Sequence, residues 1–319
     1  MSASTSFASA GDTREQEPQI VELAEQVYGY ISDHDPNCGF IVGDEYAVAI
    51  DTRPTPRMAR RFLADIRTVT PKPVKFIVLT HYHAVRVLGA SAFPDVQAIF
   101  ASRGTYDWIR ERGQADFASE AARFPRLFEG IEEIPGLTIP GVTFEREMTL
   151  WLGPRELRLL NLGRGHSFGD AVCWLPDCEV LFSGDVVENR CAVYAGDAYI
   201  GEWPKTLDAV RALGPRVLVP GRGAVVRSKE GAAEAIALTK AFLTTLLGTV
   251  EEGVRAGGSL KECYALAQAA MVPRFGDWPV FQHVLPFDVA RAYEELQGTE
   301  HPTIWTAERD RELWRTLHG

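Results

Sequence analysis

Two histidines one residue apart follow a strongly apolar segment, and they are the first residues in the chain with metal-ligand chemistry. The segment VKFIVL precedes THYH, which contains His81 and His83. Residues i and i+2 of an extended segment point the same way, so both imidazoles can reach one ion. Neutral imidazole is a ligand suited to zinc, iron, copper and nickel. Such a pair alone is weak support for a metal site, since a surface or core histidine pair has the same spacing.

Two further segments carry a metal-ligand side chain at the end of a predicted strand. His166 lies in the glycine-rich turn of LLNLGRGHSFGD, and Asp185 ends the apolar run of VLFSGDVV. Glycines in both turns let the backbone pass close to a site. Together with His81 and His83 they would supply three nitrogens and one carboxylate, with a position left for water or substrate. We therefore expect a divalent metal here, with zinc as the first choice and iron as the alternative.

The elements around these residues are typical of an α/β fold. Apolar, β-branched runs predict strands at 74–80, 96–102 and 142–163. Helical spacing of apolar residues predicts helices at 55–69 and 104–130. Strands that end at one edge of a sheet would bring their terminal side chains together there.

The C-terminal part of the chain has a different pattern. From about residue 228 the sequence consists of amphipathic helices, and Ser259 with Glu262 forms a capping-box pattern at the start of one of them. We expect a polar, disordered tail at 1–18, one α/β domain at 19–226, and a helical extension at 227–319 packed on the same domain.

Composition excludes several classes of function. The 319 residues are 46% hydrophobic, enough for a sizeable core, and carry a formal charge of −10. That charge argues against nucleic acid or an anionic membrane as a partner. No stretch approaches the roughly 18 apolar residues of a membrane span, and the N-terminus lacks a signal-peptide pattern. Five cysteines without a CxxC pair indicate reduced thiols. We expect a cytoplasmic protein.

Several motifs resemble those of the metallo-β-lactamase superfamily. THYHAVR resembles its THxHxDH motif, GRGHSFGD its GHTxGD, FSGDVV its FxGD and VPGRG its PGHG. AVAIDTRP resembles the early strand whose aspartate, here Asp51, lies beneath the metal loop. Order and spacing match over about residues 20–225. The resemblance implies an αββα sandwich with the metal at one edge, and a supporting role for Asp51 and Asp170 around the ligands.

The departures from the family pattern concern the second metal of its two-metal members. That metal would be bound by residues at three positions, and Val85, Arg86 and Arg222 stand there. All ligands of the first metal, and Asp185 as the bridging aspartate, remain, so the resemblance implies one metal. The two arginines allow two interpretations. They bind an anionic substrate or stabilise an oxyanion, or they pair with Asp185 and fill the vacated space.

Our functional hypothesis is a mononuclear hydrolase of a small, anionic ester, thioester or lactone. Asp185 would orient or deprotonate a water, while Arg86 and Arg222 would act in catalysis and hold an acidic group. His283 lies among aromatics and is a further candidate for substrate contact. Two alternatives are an iron dioxygenase of the persulfide dioxygenase type and a catalytically silent binding protein with an arginine-filled site. The sequence does not decide whether the protein forms a homodimer or whether residues 104–130 form a lid.

Overall fold

The computed structural model describes residues 17–32 and 34–318 of the chain. Most of the predicted N-terminal tail therefore lies outside the described residues. The described strands form two sheets. The first sheet has seven strands in chain order: β1 Gln19–Ala24, β2 Val27–Ile31, β3 Cys38–Val42, β4 Ala47–Ile50, β5 Val74–Val78, β6 Ala98–Ser102 and β7 Val142–Phe144. Neighbours are antiparallel from β1 to β4 and parallel from β4 to β7.

The second sheet has five strands in the order β12-β11-β10-β9-β8. Its strands are β8 Glu147–Leu152, β9 Arg155–Leu160, β10 Val172–Leu175, β11 Val180–Phe182 and β12 Val217–Val219. The two sheets pack face to face, because side chains such as Ile41 and Val78 from the first join Leu159 and Phe182 from the second in one buried cluster. With helices on both outer faces, this is the expected αββα sandwich.

The helices on the first sheet are α1 Pro56–Val69, the short α2 Ala84–Val87 and α3 Arg103–Arg123. Thr55 caps α1 by accepting a hydrogen bond from the backbone N–H of Met58. The segment 104–130, predicted to be helical, consists of α3 and a 3-10 turn at Pro125–Phe128. Helix α3 ends at Arg123 because the next residue precedes Pro125, a position that disfavours helical backbone.

The helices on the second sheet are α4 Trp203–Ala212, α5 Lys229–Arg255, α6 Leu260–Phe275, α7 Phe281–Leu296 and α8 Ala307–His318. The capping box of Ser259 and Glu262 is present at the start of α6. Contrary to our expectation, α5 is long and apolar enough to cross a membrane by length and composition. Its Phe242 and Leu246 are buried in a cluster formed by the helices from α4 to α7 and the second sheet. Such burial is typical of a core helix.

Candidate metal centre

The predicted ligands lie in loops at one edge of the sandwich. His81 and His83 follow β5, His166 lies between β9 and β10, and Asp185 follows β11. The backbone N–H of Ala171 donates to the carbonyl of Thr80 at 2.7 Å, so the loops of the first and third histidines are joined directly.

Two glycines let the Asp185 loop approach its neighbours. Gly184 has a φ of +51°, and a Cβ there would lie 2.8 Å from Cβ of Thr80. A Cβ on Gly221 would lie 2.2 Å from Oδ1 of Asp185. Any larger residue at either position would push Asp185 away from the histidines.

The three histidines converge on one point. One nitrogen from each of His81, His83 and His166 lies within 4.8 Å of the other two, and all three rings are buried. Nδ1 of His83 is 2.9 Å from Nε2 of His166. Ligand nitrogens of a tetrahedral zinc lie about 3.4 Å apart, given Zn–N bonds of about 2.1 Å. The donor set therefore fits a divalent metal such as zinc.

The ring of His81 is oriented by a chain of two hydrogen bonds. Thr80 Oγ1 donates to Oδ2 of Asp51 at 2.8 Å, so at 3.0 Å it accepts the proton of His81 Nδ1. Nε2 of His81 then carries the lone pair, and it has no hydrogen-bond partner among the described residues. Burial holds the pKa of His81 well below its usual range. A buried neutral nitrogen without a partner is what a bound metal would satisfy.

The other two rings are oriented by separate partners. His166 Nδ1 donates to the carbonyl oxygen of Tyr194 at 2.9 Å, which leaves Nε2 as the metal-facing atom, and burial lowers its pKa to about 3. His83 Nε2 lies 3.3 Å from Asp197 Oδ2 and 3.9 Å from Asp116 Oδ1. Burial lowers the pKa of His83, but Asp116 and the hydrogen bond to Asp197 raise it to about 9. A metal bound through Nδ1 of His83 would therefore displace a proton.

Asp185 is shared between the histidines and the two arginines. Its Oδ2 lies 3.6 Å from Nε2 of His81 and 3.7 Å from Nε2 of His166. Arg86 Nη2 donates to Oδ1, and Arg222 Nη1 lies 3.3 Å from Oδ2. Burial raises the pKa of Asp185, but the charge of Arg86 and its other neighbours holds it well below the usual range. Such a carboxylate is a poor proton acceptor, so the geometry favours orienting a water over deprotonating it.

Arg86 lies behind Asp185 and has no exposed surface. Its Nη2 also donates to the carbonyl of Gly221 at 2.8 Å, and its Nη1 donates to the carbonyl of Asn37 and lies 3.5 Å from Asp51. This enclosure favours the interpretation in which Arg86 pairs with Asp185 and fills the space. The assignment of Arg86 to substrate binding and catalysis stays a prediction.

A small cavity of about 20 Å³ adjoins the histidines. Arg222 and His283 line it, together with His83, Val85, Glu120, Arg123, Phe124, His166, Asp185, Ala192, Tyr194, Val280 and Val284. One water occupies about 10–15 Å³ on this scale, so the space suits an ion or a water. The end of α3 and the start of α7 form the walls of this cavity. An organic substrate would fit only if these walls moved apart.

Sequence reasoning missed two acidic residues of α3 that hold the ligand loop. Asp116 Oδ2 accepts from the backbone N–H of Ala84 at 2.7 Å, and Glu120 Oε2 accepts from that of Val85 at 3.0 Å. They are four residues apart, hence on one face of the helix. That spacing was the available signal, but residues 104–130 were predicted only as a helical segment that could form a lid. Asp197 was missed because no motif frames it.

Asp170 lies in the loop of His166 without contacting a histidine. Its carboxylate accepts hydrogen bonds from the backbone N–H of Ser167 at 2.8 Å and from the Ser167 hydroxyl. Burial raises the pKa of Asp170 to about 7, although both hydrogen bonds oppose this. Asp170 thus closes the turn that carries His166.

A larger cleft of about 470 Å³ lies among α6, α7 and α8. It is lined by residues such as Tyr264, Val272 and Trp314, and it includes none of the predicted site residues. Within the described chain, the cluster of histidines that could hold a metal lies at the smaller cavity, so size does not identify the site here.

Comparison with known families agrees with this geometry. The model of the metallo-beta-lactamase superfamily matches residues 32–222, which contain the histidines, Asp185 and Arg222. The chain belongs to the metallo-beta-lactamase superfamily. A metallo-beta-lactamase type 2 of Bacteroides fragilis is 28% identical over 219 residues, 64% of this chain and 78% of the relative.

Two comparisons extend the likeness to other members. A linear primary-alkylsulfatase of Pseudomonas sp. is 23% identical over 63% of this chain, and the chain matches 44% of its length. Among solved structures, a metallo-beta-lactamase from Pontibacter korlensis aligns over 72% of this chain and 99% of its own chain, with a TM-score of 0.56 and 23% identity. The sec-alkylsulfatase Pisa1 from Pseudomonas sp. aligns over 87% of this chain and 50% of its own, with a TM-score of 0.69 and 18% identity. These structural likenesses concern the fold.

Proposed function

We propose that this superfamily member is a mononuclear metal-dependent hydrolase of a small, anionic ester, thioester or lactone. One observation carries the proposal. Nitrogens of His81, His83 and His166 converge on one point, and Nε2 of His81 is buried there without a hydrogen-bond partner among the described residues. The guanidiniums of Arg86 and Arg222 both contact Asp185.

Each residue of the site has a task in this proposal. A divalent metal held by the three histidines would lower the pKa of a bound water and polarise a carbonyl. Oδ2 of Asp185 faces Nε2 of His81 and His166, and would orient the attacking water by accepting its hydrogen bond. Arg222 lines the cavity beside Asp185 and would stabilise negative charge that develops on the substrate.

Zinc is the proposed metal, because three neutral imidazoles with one open position suit it. The names of the relatives, a metallo-beta-lactamase and an alkylsulfatase, both denote hydrolases. They add β-lactams and alkyl sulfates to the esters, thioesters and lactones that a substrate panel should contain. A cytoplasmic location is likewise part of the proposal.

Elemental analysis of the purified protein tests the metal, with His81→Ala as the variant and His318→Ala as the matched control, because His318 is exposed at the end of α8. We expect about one zinc per chain in the wild type and the control, and none in His81→Ala. Zinc-dependent turnover of one panel substrate would support hydrolysis. Iron together with oxygen uptake would favour the dioxygenase, and two metals per chain would contradict a single site. If no metal is bound even after zinc is added, the binding-protein hypothesis is the one that fits.

A further inference from the structure

A second arginine, absent from every motif, faces the cavity from the wall opposite the ligand loops. Arg123 is the last residue of α3, and its side chain is 6% exposed. Its Nη1 donates to Nε2 of His283 at 3.2 Å, and its Nε donates to Oγ of Ser119 at 3.2 Å. The guanidinium lies 4.5 Å from the ring centre of Phe287. Helices α3 and α7 therefore hold this side chain in one position.

Both arginines of the cavity keep donors that no protein group uses. Within the described part of the chain, Nη2 of Arg123 makes no hydrogen bond, and neither do Nη2 and Nε of Arg222. A guanidinium has five N–H donors in a rigid fork that matches a carboxylate. Donors kept in a nearly closed cavity without partners favour a ligand with acceptor oxygens.

The carboxylates of Asp310, Glu120 and Asp116 all act on the charge of Arg123. Oδ2 of Asp310 lies 3.7 Å from Nε of Arg123 and also accepts from Ser119 at 2.8 Å. Burial raises the pKa of Asp310, so this carboxylate loses its charge more readily than the guanidinium of Arg123 does. Burial and the charge of Arg123 lower the pKa of His283 well below its usual range, so this imidazole is neutral and accepts from Arg123.

The two arginines of the cavity have different partners. Arg222 lies against Asp185, beside the histidines, whereas Arg123 lies against His283 and Phe287. The apolar side chains of Ala192, Val280 and Val284 line the same cavity. Once the end of α3 and the start of α7 part, a ligand that reaches both arginines would carry an ester near Arg222, a short apolar chain, and an anionic group at Arg123.

We propose that Arg123 binds a carboxylate of the substrate that is remote from the hydrolysed bond, with His283 positioning the guanidinium. The substrate class is then a half-ester or half-thioester of a short dicarboxylic acid. This inference rests on the proposed function for the identity of the reacting group, but the carboxylate site itself is tested without turnover.

The test is calorimetric binding of two amides of equal chain length, succinamate and butyramide, to metal-free and zinc-loaded protein. Succinamate carries a free carboxylate and butyramide does not. We expect wild-type protein to bind succinamate at least tenfold more tightly than butyramide, because a charge-assisted hydrogen bond is lost with the neutral ligand. Arg123→Gln should remove that preference. Arg110→Gln is the matched control, since Arg110 is exposed on the same helix.

A second variant separates binding from folding. Arg123→Lys keeps the charge but loses the planar fork, so it should retain part of the preference, and thermal unfolding reports whether each variant is folded. Equal binding of the two amides by the wild type would overturn the inference. So would a preference that survives in folded Arg123→Gln. Failure of the proposed function would instead appear as absent metal or absent turnover, with the succinamate preference intact.

Discussion

Arg86 donates to Asp185 in an ion pair that is closed to solvent, with side-chain exposures of 0% and 3%. The guanidinium stands at a position where the family resemblance implies a ligand of a second metal. A fixed organic cation thus replaces part of the charge of that metal. The pair keeps Asp185 ionised beside the histidines, and the nitrogens of His81, His83 and His166 could hold a metal ion.

Removing the cation of this pair should destabilise the fold strongly. Arg86→Met leaves the buried carboxylate of Asp185 without its main partner, and we expect a loss of about 3–5 kcal/mol in the free energy of unfolding. Chemical denaturation of the metal-free protein measures it. Arg110→Met should change stability by less than about 0.5 kcal/mol, since Arg110 is exposed. A loss below about 1 kcal/mol in Arg86→Met would contradict the buried ion pair.

The link from Asp51 to His81 should control metal affinity. Thr80→Val removes the hydroxyl that joins them, so the His81 ring loses the acceptor for its Nδ1 proton. We expect zinc affinity to fall about 10- to 100-fold, as for other partners that orient metal-binding histidines. Competition with a chelator measures the dissociation constant. Thr80→Ser keeps the hydroxyl and should bind zinc like the wild type; equal affinity of both variants would refute the link.

Asp197 should have a comparable effect through His83. Its carboxylate lies 3.3 Å from Nε2 of His83 and fixes Nδ1 as the metal-facing atom. Asp197→Asn should weaken zinc binding about 10- to 100-fold, whereas Asp208→Asn, which alters an exposed pair with Lys240, should not. If Asp197→Asn binds zinc normally, the assigned orientation of the His83 ring is wrong.

Zinc affinity should rise steeply with pH. The pKa of His83 is about 9 in the metal-free protein, so at pH 7 zinc must displace a proton. We expect the dissociation constant to fall about tenfold per pH unit between pH 7 and 9 and to level off above. The same raised pKa stabilises the metal-free fold fully below about pH 6.5, and this contribution is lost as pH rises through 9. A flat affinity profile would mean that His83 is neutral.

Local patterns were sufficient for the fold and for locating the candidate ligands together, because each of them follows an apolar strand and lies near a glycine-rich turn. His81, His166 and Asp185 could be placed at one edge for that reason. The sequence left the role of Arg86 open between substrate binding and pairing with Asp185, because its further partners Asn37 and Gly221 are distant in the chain.

The sequence did not predict the side chains that reach the site from outside the ligand loops. Arg123 reaches the cavity only because α3 stops there and α7 brings His283 alongside. Asp197 comes from a loop without regular structure. Neither has a neighbouring residue pattern that predicts its partner, because the contact depends on how separate elements pack.

The buried surroundings of Arg86 also bear on how this protein could change over evolutionary time. A histidine in its place would leave Asp185 without its main cation and the carbonyls of Asn37 and Gly221 without a donor. Regaining a two-metal centre would further require changes at Val85 and Arg222. A change at Arg86 alone would pass through a less stable protein, which disfavours the route from the proposed one-metal centre to a two-metal centre.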